Sequence, residues 1–274
     1  MRRPPVRIFS YLPNPRVWKS LFAARLAGIE IEITGAKPAE LSGWLWDVEP
    51  RPLETGESNP AGPLARRSRR GFSTTLYKTD AFLAAHPFGT VPAAFVEGEN
   101  GPIGVFESNS ILRAVARVSG HPTLYGQDAA AASRIDSFLD AALVFAREAQ
   151  VYLLALQDGS AELALHARMT GAYDFYMSGI ESALSRDAWI AGNTLTIADL
   201  SFACDLAQFL REGHYDLALG ALGCGPVSRN GPGEFPRAFG HLFALSEQPE
   251  LHELARYLRG YRARLANGNT EHGR

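Results

Sequence analysis

The sequence predicts an α/β domain followed by an all-α domain. Three observations carry that expectation. A strand, a helix and a second strand pattern succeed one another within residues 6–33. Two more strand patterns and a helix follow between residues 91 and 120. Beyond residue 128 the chain shows helical periodicity and nothing that alternates like a strand. With 274 residues the chain is long enough for two modest domains.

Residues 6–11 read as a short strand and Pro13-Asn14-Pro15 as a turn. Residues 16–27 place Val17, Leu21, Ala24 and Leu26 near helical spacing, with Gly28 as the stop. Ile29-Glu30-Ile31-Glu32-Ile33 alternates apolar and acidic side chains, the pattern of a half-buried strand. A strand–helix–strand unit this compact predicts parallel pairing of the first two strands.

Residues 35–71 interrupt the pattern. They are rich in Pro, Gly and Ser, with Trp44 and Trp46 near one end and Arg66-Arg67-Ser68-Arg69-Arg70 near the other. The stretch is read as an irregular insertion. The tryptophans are expected to anchor it on the domain, with pocket lining as the alternative. The arginine run is expected to be a solvated face, with an acidic partner as the alternative. Regular structure is expected to resume with a helix at 79–85, a strand at 91–96, a turn at 97–102, a strand at 103–106 and a helix at 108–120.

Two phrases in this last stretch carry chemistry. Phe88-Gly89-Thr90-Val91-Pro92 reads as a loop entering a strand through a proline, where a cis X-Pro bond is most useful. A cis bond there would turn the N–H and C=O of Val91 outward, open to pairing with an extended peptide. Val105-Phe106-Glu107-Ser108-Asn109-Ser110-Ile111 ends a strand and begins a helix. The free N–H groups of that first turn, the Ser108 hydroxyl and the positive end of the helix dipole suit a carboxylate, while Glu107 suits an ammonium. Each phrase alone is common; their order and spacing make the signal. A peptide edge beside an amino-acid head-group site describes a receptor for glutathione.

The domains are expected at 1–120 and 128–266, joined by His121-Pro122-Thr123-Leu124-Tyr125-Gly126. In the second, helices are expected at 128–156 and 160–184. A further helix starts with Thr196 as N-cap and Asp199 three residues on, the spacing of a capping box. Residues 220–234 form a Gly/Pro-rich break, 235–245 and 249–265 closing helices, and 267–274 a disordered tail.

Composition narrows the function classes. Hydrophobic content of 46% and charged content of 20% are ordinary for a globular protein. A net charge of −2 and a pI of 6.4 give no reason to expect nucleic acid. No apolar run approaches the ~20 residues of a membrane span, and the basic start Met1-Arg2-Arg3 has no apolar core behind it, so no secretion signal is expected. Cys204 and Cys224 fit a reducing, cytoplasmic setting and match no metal motif.

G-x-V-P followed by E-S, in this order and in the first half of the chain, resembles the cytosolic glutathione transferase superfamily. The resemblance implies a thioredoxin-like first domain of order β-α-β-α-β-β-α, with glutathione as cofactor on Val91, Pro92, Glu107 and Ser108. It also implies a buried capped helix in which Asp199 serves folding and not catalysis. Tyr11-Leu12-Pro13-Asn14-Pro15-Arg16-Val17-Trp18-Lys19-Ser20-Leu21, Thr79-Asp80-Ala81-Phe82-Leu83 and Phe235-Pro236-Arg237 resemble the transferase-like domain of the elongation factor 1 gamma subunit, excluding the 35–71 insertion and that subunit's appended domain. Bacterial glutathione-dependent β-etherases, which cleave the β-aryl ether of lignin fragments, are the other relatives it looks like.

Members of the superfamily stabilise the glutathione thiolate with a Tyr, Ser or Cys just after the first strand. Aligned on the distance to Gly28, that position is Asn14 here, whose N–H₂ can donate to a thiolate; its other reading is a turn residue between prolines. Tyr11 is the second candidate. The resemblance implies attack on a small hydrophobic, aromatic electrophile, and a homodimer or a heterodimer with a related chain. The acceptor pocket is expected between the domains, with Phe145, Tyr152 and Tyr176 read as core in preference to pocket lining. The rival expectations are a non-catalytic scaffold or partner subunit, and a glutathione-dependent reductase or isomerase on the same fold, a reading that the lack of cysteine in the first half disfavours.

Overall fold

The computed structural model describes residues 4–67 and 74–271, with side chains described as far as residue 265. The chain divides into two compact units after His121.

In the first unit β1 (Val6–Tyr11) is the central strand, with Val6, Ile8 and Phe9 buried. Helix α1 (Pro15–Leu26) begins with a proline, which loses nothing at a position whose N–H has no helical partner. It ends at Gly28, whose φ of 66° few other residues adopt without cost. Strand β2 (Glu32–Ala36) pairs parallel to β1, Arg7 opposite Glu32 and Tyr11 opposite Ala36. It starts three residues later than the sequence pattern suggests. The Ile29 N–H still bonds to the Ala24 carbonyl at 3.0 Å, so the helix's closing turn occupies the chain as far as residue 29.

The insertion is not irregular, and that expectation is corrected. After a 3₁₀ turn (Pro38–Gly43), β3 (Trp44–Trp46), β4 (Arg51–Pro52), β5 (Ala65–Arg67) and β6 (Thr75–Lys78) form a second sheet of order β4-β3-β6-β5. Trp46 packs edge-on against Phe9 and Phe82, with ring centroids 5.4 and 5.8 Å away, and donates its indole N–H to the Leu41 carbonyl at 3.1 Å. The tryptophans therefore anchor the insertion on the domain, Trp46 from within its core and Trp44 tilted over Phe9. Of the arginine run, Arg66 pairs with Asp80 at 3.3 Å and Arg67 is exposed; Ser68, Arg69 and Arg70 lie outside the described residues.

Thr79 caps α2 (Asp80–Ala85), its hydroxyl accepting the Phe82 N–H at 3.0 Å. Strands β7 (Ala93–Gly98) and β8 (Gly101–Phe106) form a tight hairpin. The expected strand at 91–96 thus begins two residues on, because Pro92 has no N–H to enter a ladder. The expected turn shrinks because Glu97 pairs with Pro102 and Gly98 with Gly101. Pro102 sits on an edge strand, where a missing donor is tolerated. Helix α3 (Ser108–Ser119) closes on Gly120 at φ 64°. The first sheet has the order β2-β1-β7-β8, with β7 antiparallel to both neighbours. The α/β thioredoxin-like arrangement followed by an all-α unit is the fold class the sequence predicts.

The second unit contains α4 (Ala129–Gln157), α5 (Leu163–Leu184), α6 (Ile197–Phe209), α7 (Asp216–Ala221), α8 (Gly231–Glu234), α9 (Pro236–Ser246) and α10 (His252–Glu271). Helix α10 carries on through residues 267–271, where a tail was expected; residues 272–274 lie outside the description. The Gly/Pro-rich break is tied down. The fully buried Glu212 accepts from Tyr152 Oη at 2.8 Å, Val227 N–H at 2.7 Å and both the N–H and hydroxyl of Ser228 at 3.2 Å. Phe145 stacks on Tyr176 at 4.6 Å, so these aromatics and Tyr152 are core.

Helix α6 is buried along nearly its whole length, and Asp199 organises its start. This fully buried carboxylate accepts from the N–H groups of Thr196 and Ile190 at 2.8 and 3.0 Å and from the Thr196 hydroxyl at 3.1 Å, and it meets His241 Nε2 at 2.9 Å. Asp199→Ala strands two buried N–H groups at roughly 1–3 kcal/mol each. Urea denaturation is expected to show a loss of about 3 kcal/mol or more.

Candidate functional site

The sheet topology gathers the sequence-predicted site residues at one end of the first sheet. Phe9 is opposite Ala93, and Ala93 is opposite Phe106. One step beyond those pairs the chain leaves β1 at Tyr11, enters β7 from Val91 and Pro92, and leaves β8 at Glu107. Asn14 begins α1 just past Tyr11, and Ser108 begins α3 just past Glu107.

The bond before Pro92 is cis, as is the bond before Pro13, which the sequence reading left as a plain turn. Val91 and Pro92 are half-buried. Val91 lies outside the ladder, and neither its N–H nor its C=O has a backbone partner among the described residues. An unpaired N–H and C=O on one residue is a docking edge for another extended chain.

The two helix starts at this end differ in what they leave free. At α1, Pro15 has no N–H. The Arg16 N–H goes to Asn14 Oδ1 at 3.0 Å, and the Val17 and Trp18 N–H groups go to the Asn14 carbonyl at 2.9 and 3.2 Å. Asn14 Nδ2 donates to Ser10 Oγ at 3.1 Å, and the residue has no exposed surface. That start is closed. At α3, Glu107 is exposed, gives no side-chain cap and holds φ 67°. It is the one non-glycine residue at positive φ among the described residues, and such backbone clusters at functional sites. The N–H groups of Ser108 and Ser110 and the Ser108 hydroxyl have no partner among the described residues. That start is open, and it suits an anion.

Tyr11 packs partly against the core cluster and is half-exposed, and its hydroxyl has no partner among the described residues. Two residues that sequence reasoning missed also reach this end. Lys78 at the end of β6 donates to the Gly89 carbonyl at 2.6 Å and lies over the Trp46 ring at 4.6 Å; burial first, and then Arg66, lower its pKa to about 8. His86 is buried among Phe82, Phe95 and Phe106, neither ring nitrogen has a partner among the described residues, and burial lowers its pKa to about 4. The strand-like run Thr75-Leu76-Tyr77-Lys78 before the Thr79 cap was the available signal for Lys78. Nothing in the sequence marked His86.

A cavity of about 270 Å³ opens in the helical unit beside Gln127, Asp128, Asn193 and Thr194, and none of the sequence-predicted site residues lines it. Among the described residues no helix is long and apolar enough to cross a membrane.

The chain is 30% identical over 210 residues to a glutathione S-transferase-like protein from a Fusarium species, covering 73% of this chain and 75% of that protein. It is 26% identical over 247 residues to elongation factor 1-gamma 1 of Oryza sativa, covering 86% of this chain but only 45% of that longer protein. Among solved structures, a glutathione transferase family member from Pseudomonas fluorescens, with two glutathione bound, superimposes with a TM-score of 0.61 at 18% identity over 92% of each chain. That likeness shows the fold. No family model matches the chain.

Burial of His86 is expected to make the first unit acid-sensitive. Its folded pKa lies below the ordinary 6.5, so the unfolded chain binds the extra proton and stability falls as pH drops from about 6.5 toward 4. At pH 5 the loss is about 2 kcal/mol. His86→Phe, similar in shape and already among phenylalanines, is expected to abolish it. Denaturation midpoints at pH 7.5 and 5 measure the difference, and equal acid loss in both proteins would contradict this assignment.

Proposed function

The chain belongs to the glutathione S-transferase family, and on that premise we propose that it holds glutathione at the end of the first sheet and directs its sulfur at an aromatic electrophile. The observation that supports this best is the unpaired backbone of Val91 across from the open start of α3. Val91 pairs with the peptide as an added strand would, with Pro92 fixing where the loop meets the sheet. The N–H groups and hydroxyl at Ser108 take the head-group carboxylate, and Glu107 takes the ammonium.

Bound glutathione supplies a sulfur nucleophile once its proton is lost. On this reading the Tyr11 hydroxyl donates a hydrogen bond to the sulfur. Asn14, the first choice from the sequence, acts through the α1 start that it caps, because its own amide is buried and engaged. The electrophile we propose is a β-aryl ether of the lignin-fragment class. Its reacting carbon lies next to a ketone, and the leaving phenolate is stable enough to depart without a strong general acid. The working unit is a homodimer or a heterodimer with a related chain, in the cytoplasm.

The closed α1 start favours a second reading: a transferase-like module that binds glutathione and serves as a scaffold or partner subunit without turnover. Calorimetry with reduced glutathione, followed by turnover with a chlorinated aromatic and with a β-aryl ether model compound, separates the two. Ser108→Ala is expected to weaken glutathione binding about tenfold, or ~1.4 kcal/mol. Tyr11→Phe is expected to lower kcat at least tenfold while leaving KM for glutathione within about twofold. No heat with the wild-type chain ends the proposal. Heat without turnover leaves the scaffold.

A further inference from the structure

We propose that Lys78 is a positioning residue through which the second sheet fixes the 86–92 loop and with it the backbone edge of Val91. This rests on the reading that Val91 receives a peptide. Lys78 is only 8% exposed and ends β6, where it pairs with Trp46 of β3. Its ammonium is committed to two acceptors: the Gly89 carbonyl at 2.6 Å and the Trp46 ring face at 4.6 Å. A charged donor on a carbonyl is stronger than a neutral one, and more so out of water. An ammonium over an indole adds to it.

The loop end of this contact is shaped to receive it. Gly89 has φ 58°, and a Cβ there would stand 3.3 Å from Lys78 Nζ and 3.2 Å from Leu83 Cδ2. The Gly89 N–H bonds to the His86 carbonyl at 2.8 Å, and the His86 N–H to the Phe82 carbonyl at 2.8 Å, so α2 and Lys78 both hold the loop. Val91 lies two residues on and has no backbone bond of its own. Its place is set by what holds Gly89. The sheet end of the contact is equally fixed. The Trp46 indole bonds to Leu41, the Thr79 N–H bonds to the Trp46 carbonyl at 3.0 Å, and the Lys78 N–H bonds to the Leu64 carbonyl at 2.9 Å. The insertion therefore serves as a buttress for the ligand edge.

Amide hydrogen exchange at Gly89 and His86 tests this without any ligand, on the full chain. Lys78→Met keeps the aliphatic stem and removes the charge; both amides are expected to exchange at least tenfold faster, and Lys78→Arg is expected to restore them to within threefold. Unchanged exchange in Lys78→Met overturns the inference. Should that variant not fold, Lys78→Gln is read at the same amides by the same criterion. In the liganded protein Lys78→Met is expected to raise KM about tenfold for both glutathione and γ-glutamylcysteine, with kcat within twofold. A loss confined to glutathione makes Lys78 a contact for the glycine carboxylate that γ-glutamylcysteine lacks, and overturns the positioning role. A wild-type chain that binds neither peptide sinks the glutathione reading alone, because the exchange result still decides the role of Lys78.

Discussion

Every main-chain N–H and C=O at the end of a sheet must find a partner in the protein, in water or in a ligand. At the end where β1, β7 and β8 of this chain meet, that accounting comes out unevenly, and the site follows from the unevenness. Asn14 uses its side-chain oxygen and its carbonyl to close the start of α1, while its amide nitrogen ties the turn back to Ser10. Glu107 does the opposite: it holds a left-handed backbone and gives no side-chain cap, and the N–H groups of Ser108 and Ser110 have no partner among the described residues. Backbone held this way in a residue with a Cβ costs on the order of 1–3 kcal/mol. Beside it, Val91 stands outside the ladder because the following proline cannot join one.

A free backbone edge binds only if it stays where it is, since an ordered loop that must first be immobilised loses affinity to the entropy of ordering. The second sheet meets that need. Trp46 brings its indole into the same cluster as Phe9, Phe82 and Phe95, so it cannot shift without opening the core of the whole unit. Lys78 passes that rigidity on to Gly89 through a single charged hydrogen bond. Short strands of two to four residues would be marginal alone. Here the burial of Trp46 in the core cluster adds to their ladder bonds.

What the sequence disclosed and what it hid divide along the same line. Local signals read correctly: Gly28 stops its helix, and the Thr196–Asp199 box closes as its spacing suggests. Each depends on residues within four positions. The second sheet was illegible because its strands are too short to show a period and pair across long separations, Ala65 with Tyr77 and Leu45 with Tyr77. At the candidate site, the common neighbourhood of Asn14, Val91, Glu107 and Ser108 was legible. The direction of the Asn14 amide was not, because Ser10 and the Arg16 N–H decide it. Lys78 and His86 matter only through partners that folding brings to them.

Magnitudes decide what the closed α1 start can and cannot do for a bound thiol. With its N–H groups already taken, α1 offers only its dipole, worth roughly 0.3–1 kcal/mol. That is less than one unit on a thiol that begins near 8.5, too little to leave most of it ionised at neutral pH. A direct hydrogen bond to the charged sulfur, worth ~1.5–3 kcal/mol, closes the gap, and on the proposed reading Tyr11 is the side chain placed to give it. On the same reading, binding asks nothing of α1, because Val91 and the start of α3 supply it. The two halves of the activity therefore rest on separate residues. A change at position 11 or 14 can turn such a chain into a binding module without disturbing how the tripeptide is held.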